Sequence, residues 1–431
     1  MRRKVTPARR AASPGLRLAF GGDTPCPDKS GGVAMADRVL VAGAGPVGLV
    51  AAASLAEAGI PVTIVEAERD LPDGLRASTF HPPTLDMLER FGVVEELIAQ
   101  GLICPTWQFR DRRQGAIATF EMALLKDDTN HPYRLQCEQW RLTRLLRDRL
   151  ADNSDVTFRY DSRAAEVRQD DDRVYLTVVN EAGEEEVLEG RFLIGADGAR
   201  SAVRKSAGIG FEGMTIPELY LTLSTPHPFH EEVEDLSNIA YISDPEEWLV
   251  LLRTRSLWRV LLPTDANEPE DYMLSDARIE ERMQQVHPKA GRYEIVHRTA
   301  YRVHERVAET YALGRVFLAG DAAHINNPLG GMGMNGGIHD AVNLAEKLVQ
   351  VWRGADLSLM QRYSRQRRKV ARDVVQQQAL RNRQMLNQRD PKVRAEYLDQ
   401  MRALVEDPVK HREHLLKTSM IQSLRETEAV A

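Results

Sequence analysis

The chain is poor in cysteine, with Cys26, Cys104 and Cys137 the only three in 431 residues. Their spacing fits neither a disulfide framework nor a zinc site, which points to a reducing, cytoplasmic setting. Excess charge is also lacking. A modest net charge of −6 implies no nucleic-acid or anionic-membrane partner. Long apolar runs are nearly absent. Val39 to Ala56 is uncharged and long enough to flag a membrane span, but Gly43, Gly45, Pro46 and Gly48 interrupt it in a strand-then-helix pattern, so it reads as a buried βα unit. His81, His304, His324 and His339 show no metal-ligand spacing, and no metal is expected. No Ser-His-Asp or Cys-His arrangement is legible.

Residues 1–34 are rich in Pro, Gly and Arg, and no apolar segment follows their Arg pairs. They read as a disordered extension without a signal peptide. Met35, opening "MADRVLVAGAGPVG", reads as an alternative start.

What the chain does have is glycine at strand ends. In "RVLVAGAGPVGLVAAASLAEAGIPVTIVEAE" a strand over 38–42 meets Gly43, Gly45 and Gly48, a helix over 46–58 follows, and a second strand over 62–65 delivers Glu66. Gly43 permits the turn, Gly45 lets backbone N–H groups approach a pyrophosphate, and Gly48 lets helix and strand pack closely. The helix N-terminus favours the anion, and Glu66 suits a ribose with a free 2′-hydroxyl, as in FAD or NAD. Two more strands end in Gly and Asp. "FLIGADGARSAVRKSAGI" carries Gly195, Asp197, Gly198, Arg200 and Arg204; "VFLAGDAAHINNPLGGMGMNGG" carries Gly320 and Asp321 ahead of a glycine-rich helix entrance. One NAD site does not need all three.

With these three motifs in this order, the sequence resembles the FAD-dependent class A monooxygenases, the aromatic hydroxylases typified by para-hydroxybenzoate hydroxylase. The likeness spans about residues 36–370. It implies an α/β fold: a Rossmann-like FAD-binding domain with an inserted β-sheet substrate domain and C-terminal helices. The FAD-binding domain would take residues 35–105, 135–210 and 301–360. The β-rich substrate domain would take 106–134 and 211–300, and helices would fill 361–431. The implied activity is hydroxylation of a phenolic or N-heteroaromatic compound with NADH or NADPH and O₂, through a flavin C4a-hydroperoxide. A same-fold reductase or epoxidase on a non-aromatic substrate is the alternative. Monomer and homodimer are both compatible.

The resemblance also assigns residues. Gly43, Gly45, Pro46, Val47, Gly48 and Glu66 would cradle the dinucleotide, with Arg76 on the pyrophosphate. Gln139, or Gln136 in a rival register, would reach the phosphate–ribityl region. Asp197 belongs to the "DG" motif, and Asp321 of the "GD" motif would accept from ribityl or phosphate-proximal hydroxyls. Pro328 and the loop from Gly330, with Gly331, Gly333, Met334 and Asn335, would face the isoalloxazine ring. His324 reads as structural. Asn327 departs from the family, where a second proline precedes Pro328. Tyr220, Tyr241, Trp248, Arg253 and Trp258 are candidates to line a substrate pocket, with core packing as the alternative for each; Arg255 and Arg259 leave the choice of arginine open. "MQRYSRQRRKVARDVVQQQALRNRQML" reads as a charged helix with a solvated face.

Overall fold

The computed structural model describes residues 37–430; the expectations for residues 1–34, Met35 and Cys26 lie outside them. The short apolar strands form a parallel sheet because both of its faces are buried, so Val39–Ala42, Val62–Val65, Phe192–Gly195 and Val316–Leu318 lack the alternation of a half-wet strand. The sheet order is 312–313, 316–318, 192–195, 39–42, 62–65, 156–159. Only the hairpin formed by 312–313 runs antiparallel to its neighbour.

Register places the motifs. Ala42 lies opposite Gly195, and Gly195 opposite Leu318, so the three glycine turns leave the same edge of the sheet side by side. Helix Pro46–Glu57 follows the first strand, ending one residue before expectation, and packs with the long helix Met332–Trp352.

A second, eight-stranded sheet is ordered 324–325, 297–308, 211–225, 258–264, 249–253, 239–243, 106–111, 115–121. The hairpin legible in "EEWLVLLRTRSLWRVLLP" is Leu249–Arg253 paired with Trp258–Thr264. Strand His297–Ala308 runs across the expected boundary at residue 300, where "HRTAYRVHERVA" offers no turn residue to stop it. One face of this sheet buries Tyr220, Tyr241, Trp248 and Leu261 with Leu329 and the helical residues Leu386, Leu398 and Leu415. Its other face buries Trp258, Val260 and Leu262 against Ile279 and Met283 of helix Asp276–Val286.

From Leu359 onward the chain is helical, and its helices dock rather than trail. The charged helix Leu359–Val370 has the expected solvated face, with Gln361, Arg365 and Lys369 exposed, but its opposite face docks. Arg367 is fully buried, because a buried carboxylate waits for it. Among the described residues, no helix is long and apolar enough to cross a membrane.

Candidate cofactor and substrate site

The first turn shows which glycines the fold itself requires. A Cβ on Gly48 would sit 1.9 Å from the Gly43 carbonyl oxygen, so only glycine lets this helix approach the strand. Gly45 differs, since a Cβ there would meet nothing within 4 Å. It caps helix Pro46–Glu57, whose first N–H groups face the open space left beside it. Glu66 arrives half-exposed from the neighbouring strand and accepts from Ala44 N at 2.8 Å, which turns its carboxylate toward this opening. Pro46 is buried at the first helical position. Val47 packs against Gly320 and Gly337, joining the first turn to the third.

Arg76 and Asp321 come from residues 245 positions apart, yet they share one recess. Both side chains are solvent-accessible. The protein enclosing Asp321 pushes its carboxyl up, while the charges of His324 and then Arg76 pull it down. Arg259 fixes the Arg76 segment by donating to the carbonyls of Leu75, at 3.1 Å, and Arg76. The two glutamines separate cleanly. Gln136 is fully buried and committed to Ser78 Oγ (3.1 Å) and Thr79 Oγ1 (2.8 Å), whereas Gln139 opens helix Gln139–Ala151 and is half-exposed.

The DG and GD motifs hold each other. Asp197 accepts from Ser201 Oγ at 2.5 Å and from the N–H groups of Ala202 and Val203, so its carboxylate caps the short helix Ala202–Ser206 and both oxygens are engaged. Arg204 donates to the carbonyls of Ala322 and Ala199, each at 2.9 Å, and lies 3.8 Å over the ring of Phe211. Behind the GD turn, Asp340 accepts from Gly320 N (3.1 Å) and His324 Nε2 (2.8 Å) on one oxygen and from Arg367 Nε (2.6 Å) on the other. Burial would raise the Asp340 carboxyl, but His324 and Arg367 outweigh it and hold it below the ordinary range. His324 thus serves the buried network. Asp340 and Arg367 escaped sequence reasoning because each sits in an ordinary helical pattern.

At the third turn, helix Met332–Trp352 begins after Gly331, which has φ +67°. Asn335 is fully buried. It donates to the carbonyls of Thr79 (2.8 Å) and Gly331 (2.6 Å) and accepts from His81 N (2.9 Å), so its side chain clamps the helix entrance. Only its backbone is left to serve a ligand. The Pro328 carbonyl accepts from Gly331 N at 3.0 Å, Met334 packs into the main core, and nothing approaches a Cβ on Gly333 closer than Asn326 Oδ1 at 3.6 Å. Asn327, the departure from the family pattern, donates to buried Glu305 at 2.7 Å.

Of the pocket candidates, Tyr220, Tyr241 and Trp248 lie on the sheet face that also contacts Leu329 of the glycine loop; Tyr220 and Trp248 pack edge-on at 5.2 Å. Trp258 is withdrawn from that set, because the strand's pleat turns it to the opposite face, where it donates to His230. Arg253 donates to Asn238 Oδ1 at 3.3 Å, and Arg255 to the Ala99 carbonyl. The thiols of Cys104 and Cys137 are buried, and burial pushes each up to about 12, which makes them inert. A groove of 680 Å³ lined by Asp37, Asp170, Arg191 and Arg315 lies at the N-terminal ends of the strands, the wrong edge for a ligand of such a sheet. His227, Glu232 and His287 meet, as do Asp86, Glu89 and His131; the third member of each cluster comes from a distant residue, so sequence spacing does not reveal it.

A parallel sheet with three glycine turns side by side at one edge is the arrangement of the Rossmann-like FAD-binding class. Comparison with known proteins agrees. Residues 37–378 match the family model described as FAD binding domain. The chain is 36% identical over 366 residues to para-nitrophenol 4-monooxygenase of Pseudomonas sp. strain WBC-3, covering 82% of this chain and 88% of that one. It is 31% identical over 386 residues to 6-hydroxy-3-succinoylpyridine 3-monooxygenase of Pseudomonas putida, covering 87% and 95%. The crystal structure of p-nitrophenol 4-monooxygenase from Pseudomonas putida superposes with a TM-score of 0.85 at 32% identity, over 90% of this chain and 98% of that one. The chain therefore belongs to the FAD-dependent aromatic hydroxylase family, and it is an FAD-dependent monooxygenase that draws on NAD(P)H.

Proposed function

We propose that the protein hydroxylates a small phenol or hydroxypyridine at the recess shared by Arg76, Asp321 and the glycine loop. One observation carries the assignment of the site: three turns far apart in sequence leave one sheet edge in register and open on the same space. Bound FAD supplies the oxygen-transfer chemistry, taking reducing equivalents from NAD(P)H and using O₂.

The residues divide the remaining work. The helix behind Gly45 and the exposed Arg76 would hold the pyrophosphate, and Glu66 the ribose. Asp321 and half-exposed Gln139 would take the ribityl side. The free N–H groups at the start of helix Met332–Trp352 would serve the ring edge that becomes anionic on reduction, for which a positive helix end is a favourable partner. The eight-stranded sheet and the helices docked on it would keep bulk water from the reacting ring. Its aromatic face, with Tyr220, Tyr241 and Trp248, supports an aromatic substrate, as do the relatives that act on para-nitrophenol and on a hydroxypyridine.

The test is a purified protein with a flavin spectrum, then a screen of phenols and hydroxypyridines for stimulated NAD(P)H oxidation with product analysis. Stimulated oxidation with a hydroxylated product supports the proposal. A native chain that stays colourless with excess FAD, or one that yields only H₂O₂ with every aromatic tried, overturns it.

A further inference from the structure

The fold treats most of its buried arginines alike: Arg367 meets Asp340, Arg282 meets Glu247, and Arg204 is satisfied by two carbonyls. Arg134 is different. It is 2% exposed, and no carboxylate pairs with it among the described residues. Its Nε and Nη1 are buried without partners, and Nη2 makes a long 3.4 Å contact to the Thr418 carbonyl. The hydroxyl of Tyr241 is a hydrogen-bond partner of the guanidinium and the Cys104 thiol stands nearby, but both are neutral and leave its charge without a counter-ion. A buried cation left in this state is unfavourable unless something anionic completes it.

The surroundings describe that something. The guanidinium lies 5.0 Å over the ring of Trp107. Trp107 meets Tyr241 edge-on at 5.8 Å and His414 at 6.0 Å. Trp107 Nε1, His414 Nε2 and His81 Nδ1 are also buried and unpartnered. Burial and then the charge of Arg134 push His81 well down, while burial, then His411 and Arg134, bring His414 down to about 4, so both are neutral at pH 7. Arg134 is then the charged member of an aromatic-walled group of idle nitrogens, and the nearby Lys417 and Arg253 add further positive charge. Cys104, the other titratable neighbour, stays a neutral thiol.

Two contacts join this group to the ring site. His81 Nε2 lies 2.9 Å from the Gly330 carbonyl oxygen. Gln136, two residues from Arg134 on the strand Arg134–Gln136, donates to Thr79 Oγ1, and Thr79 lies against Gly331.

We infer that Arg134 is the receptor for an anionic oxygen on the aromatic substrate, either a phenolate or a ring carboxylate, with Trp107 and Tyr241 against the ring. The inference rests on the hydroxylase reading above and names the charge of its substrate.

The experiment compares holoenzymes carrying Arg134, R134M and R134K. Dissociation constants are taken from the perturbation of flavin absorption by para-nitrophenol, by 4-hydroxybenzoate and by neutral nitrobenzene. R134M should weaken binding of one of the two anions by about 30-fold or more, R134K should recover part of it, and nitrobenzene should change less than about twofold. The anion that responds distinguishes phenolate from carboxylate. Without ligand, R134M should melt no lower than the parent, since it removes an uncompensated charge. Unchanged anion binding in R134M overturns the inference, as does equal loss of nitrobenzene. Earlier melting or loss of flavin in both variants makes Arg134 structural and also overturns it. A parent enzyme that binds flavin but is stimulated by no aromatic refutes the hydroxylase reading instead, whatever the variants do.

Discussion

Arg367 Nε lies 2.6 Å from Asp340 Oδ1, with neither side chain more than 1% exposed. This pair fastens helix Leu359–Val370 to helix Met332–Trp352, while the second Asp340 oxygen holds the Gly320 backbone and His324. The turn that carries Asp321 is therefore held from behind by charge as well as by packing. Arg367→Met leaves Asp340 Oδ1 without its arginine and should cost about 3–5 kcal/mol of holoenzyme stability in urea unfolding. R367M/D340N should cost less than the sum of its single variants. A loss under about 1 kcal/mol for R367M would show that the pair does not secure the turn.

Stability should fall in mild acid for a reason separate from the carboxylates. His339 is buried, bonded to Thr84 Oγ1 at 2.9 Å, and burial followed by the charge of Arg367 brings it down to about 3. His414 is brought down to about 4. An unfolded histidine takes up its proton near pH 6.5, so the unfolded chain binds more protons than the native one between that value and the folded ones. The contribution of each group is whole above about pH 6.5 and is lost as pH falls, by up to ~1.4 kcal/mol per pH unit for each proton. H339Q should flatten this dependence between pH 6 and 4. The check is unfolding free energy against pH; an unaltered slope would exclude His339 as its source.

Gly45 and Gly48 should separate folding from binding. Gly48→Ala forces a Cβ to 1.9 Å from the Gly43 carbonyl oxygen, so the chain should fold poorly with or without FAD. Gly45→Ala meets open space and should leave the apoprotein within about 1 kcal/mol of the parent, the cost of a poorer helix cap. Its FAD affinity should nevertheless drop by about tenfold or more, because the added methyl occupies the path of the phosphates. Equal FAD affinity in G45A and the parent would remove Gly45 from the cofactor site.

Asp321→Ala should lose flavin or most of its flavin-reduction rate, and Arg76→Ala should retain FAD less tightly. Neither side chain carries core packing, so thermal unfolding of the apoproteins should change little, within about ±0.5 kcal/mol. Equilibrium dialysis of FAD and single-turnover reduction by NAD(P)H measure these effects. A fully yellow, fully active D321A would detach the GD turn from the cofactor.

Much of the local structure is legible in the sequence. Strand Val62–Val65 and the helix after Gly45 stand where the pattern puts them, and the eight-stranded sheet contains the expected hairpin. Alternation does not show which face of a strand looks inward, so Trp258 was grouped with Tyr241 although the sheet separates them. Nor does an Arg-rich helix advertise that one of its arginines is buried, since Arg367 occupies the same helical pattern as its exposed neighbours.

The positions of the glycine turns follow from the sequence alone, because steric demands on glycine and the reach of an acid at a strand end are set by backbone geometry within some twenty residues. The fate of the polar side chains around them needed the folded chain. Asp197 caps a helix, Asn335 clamps another, Gln136 is consumed internally, and Arg134 is left without a counter-ion. Each outcome depends on which distant donor or acceptor arrives within hydrogen-bonding distance, and that is fixed by sheet register and helix docking.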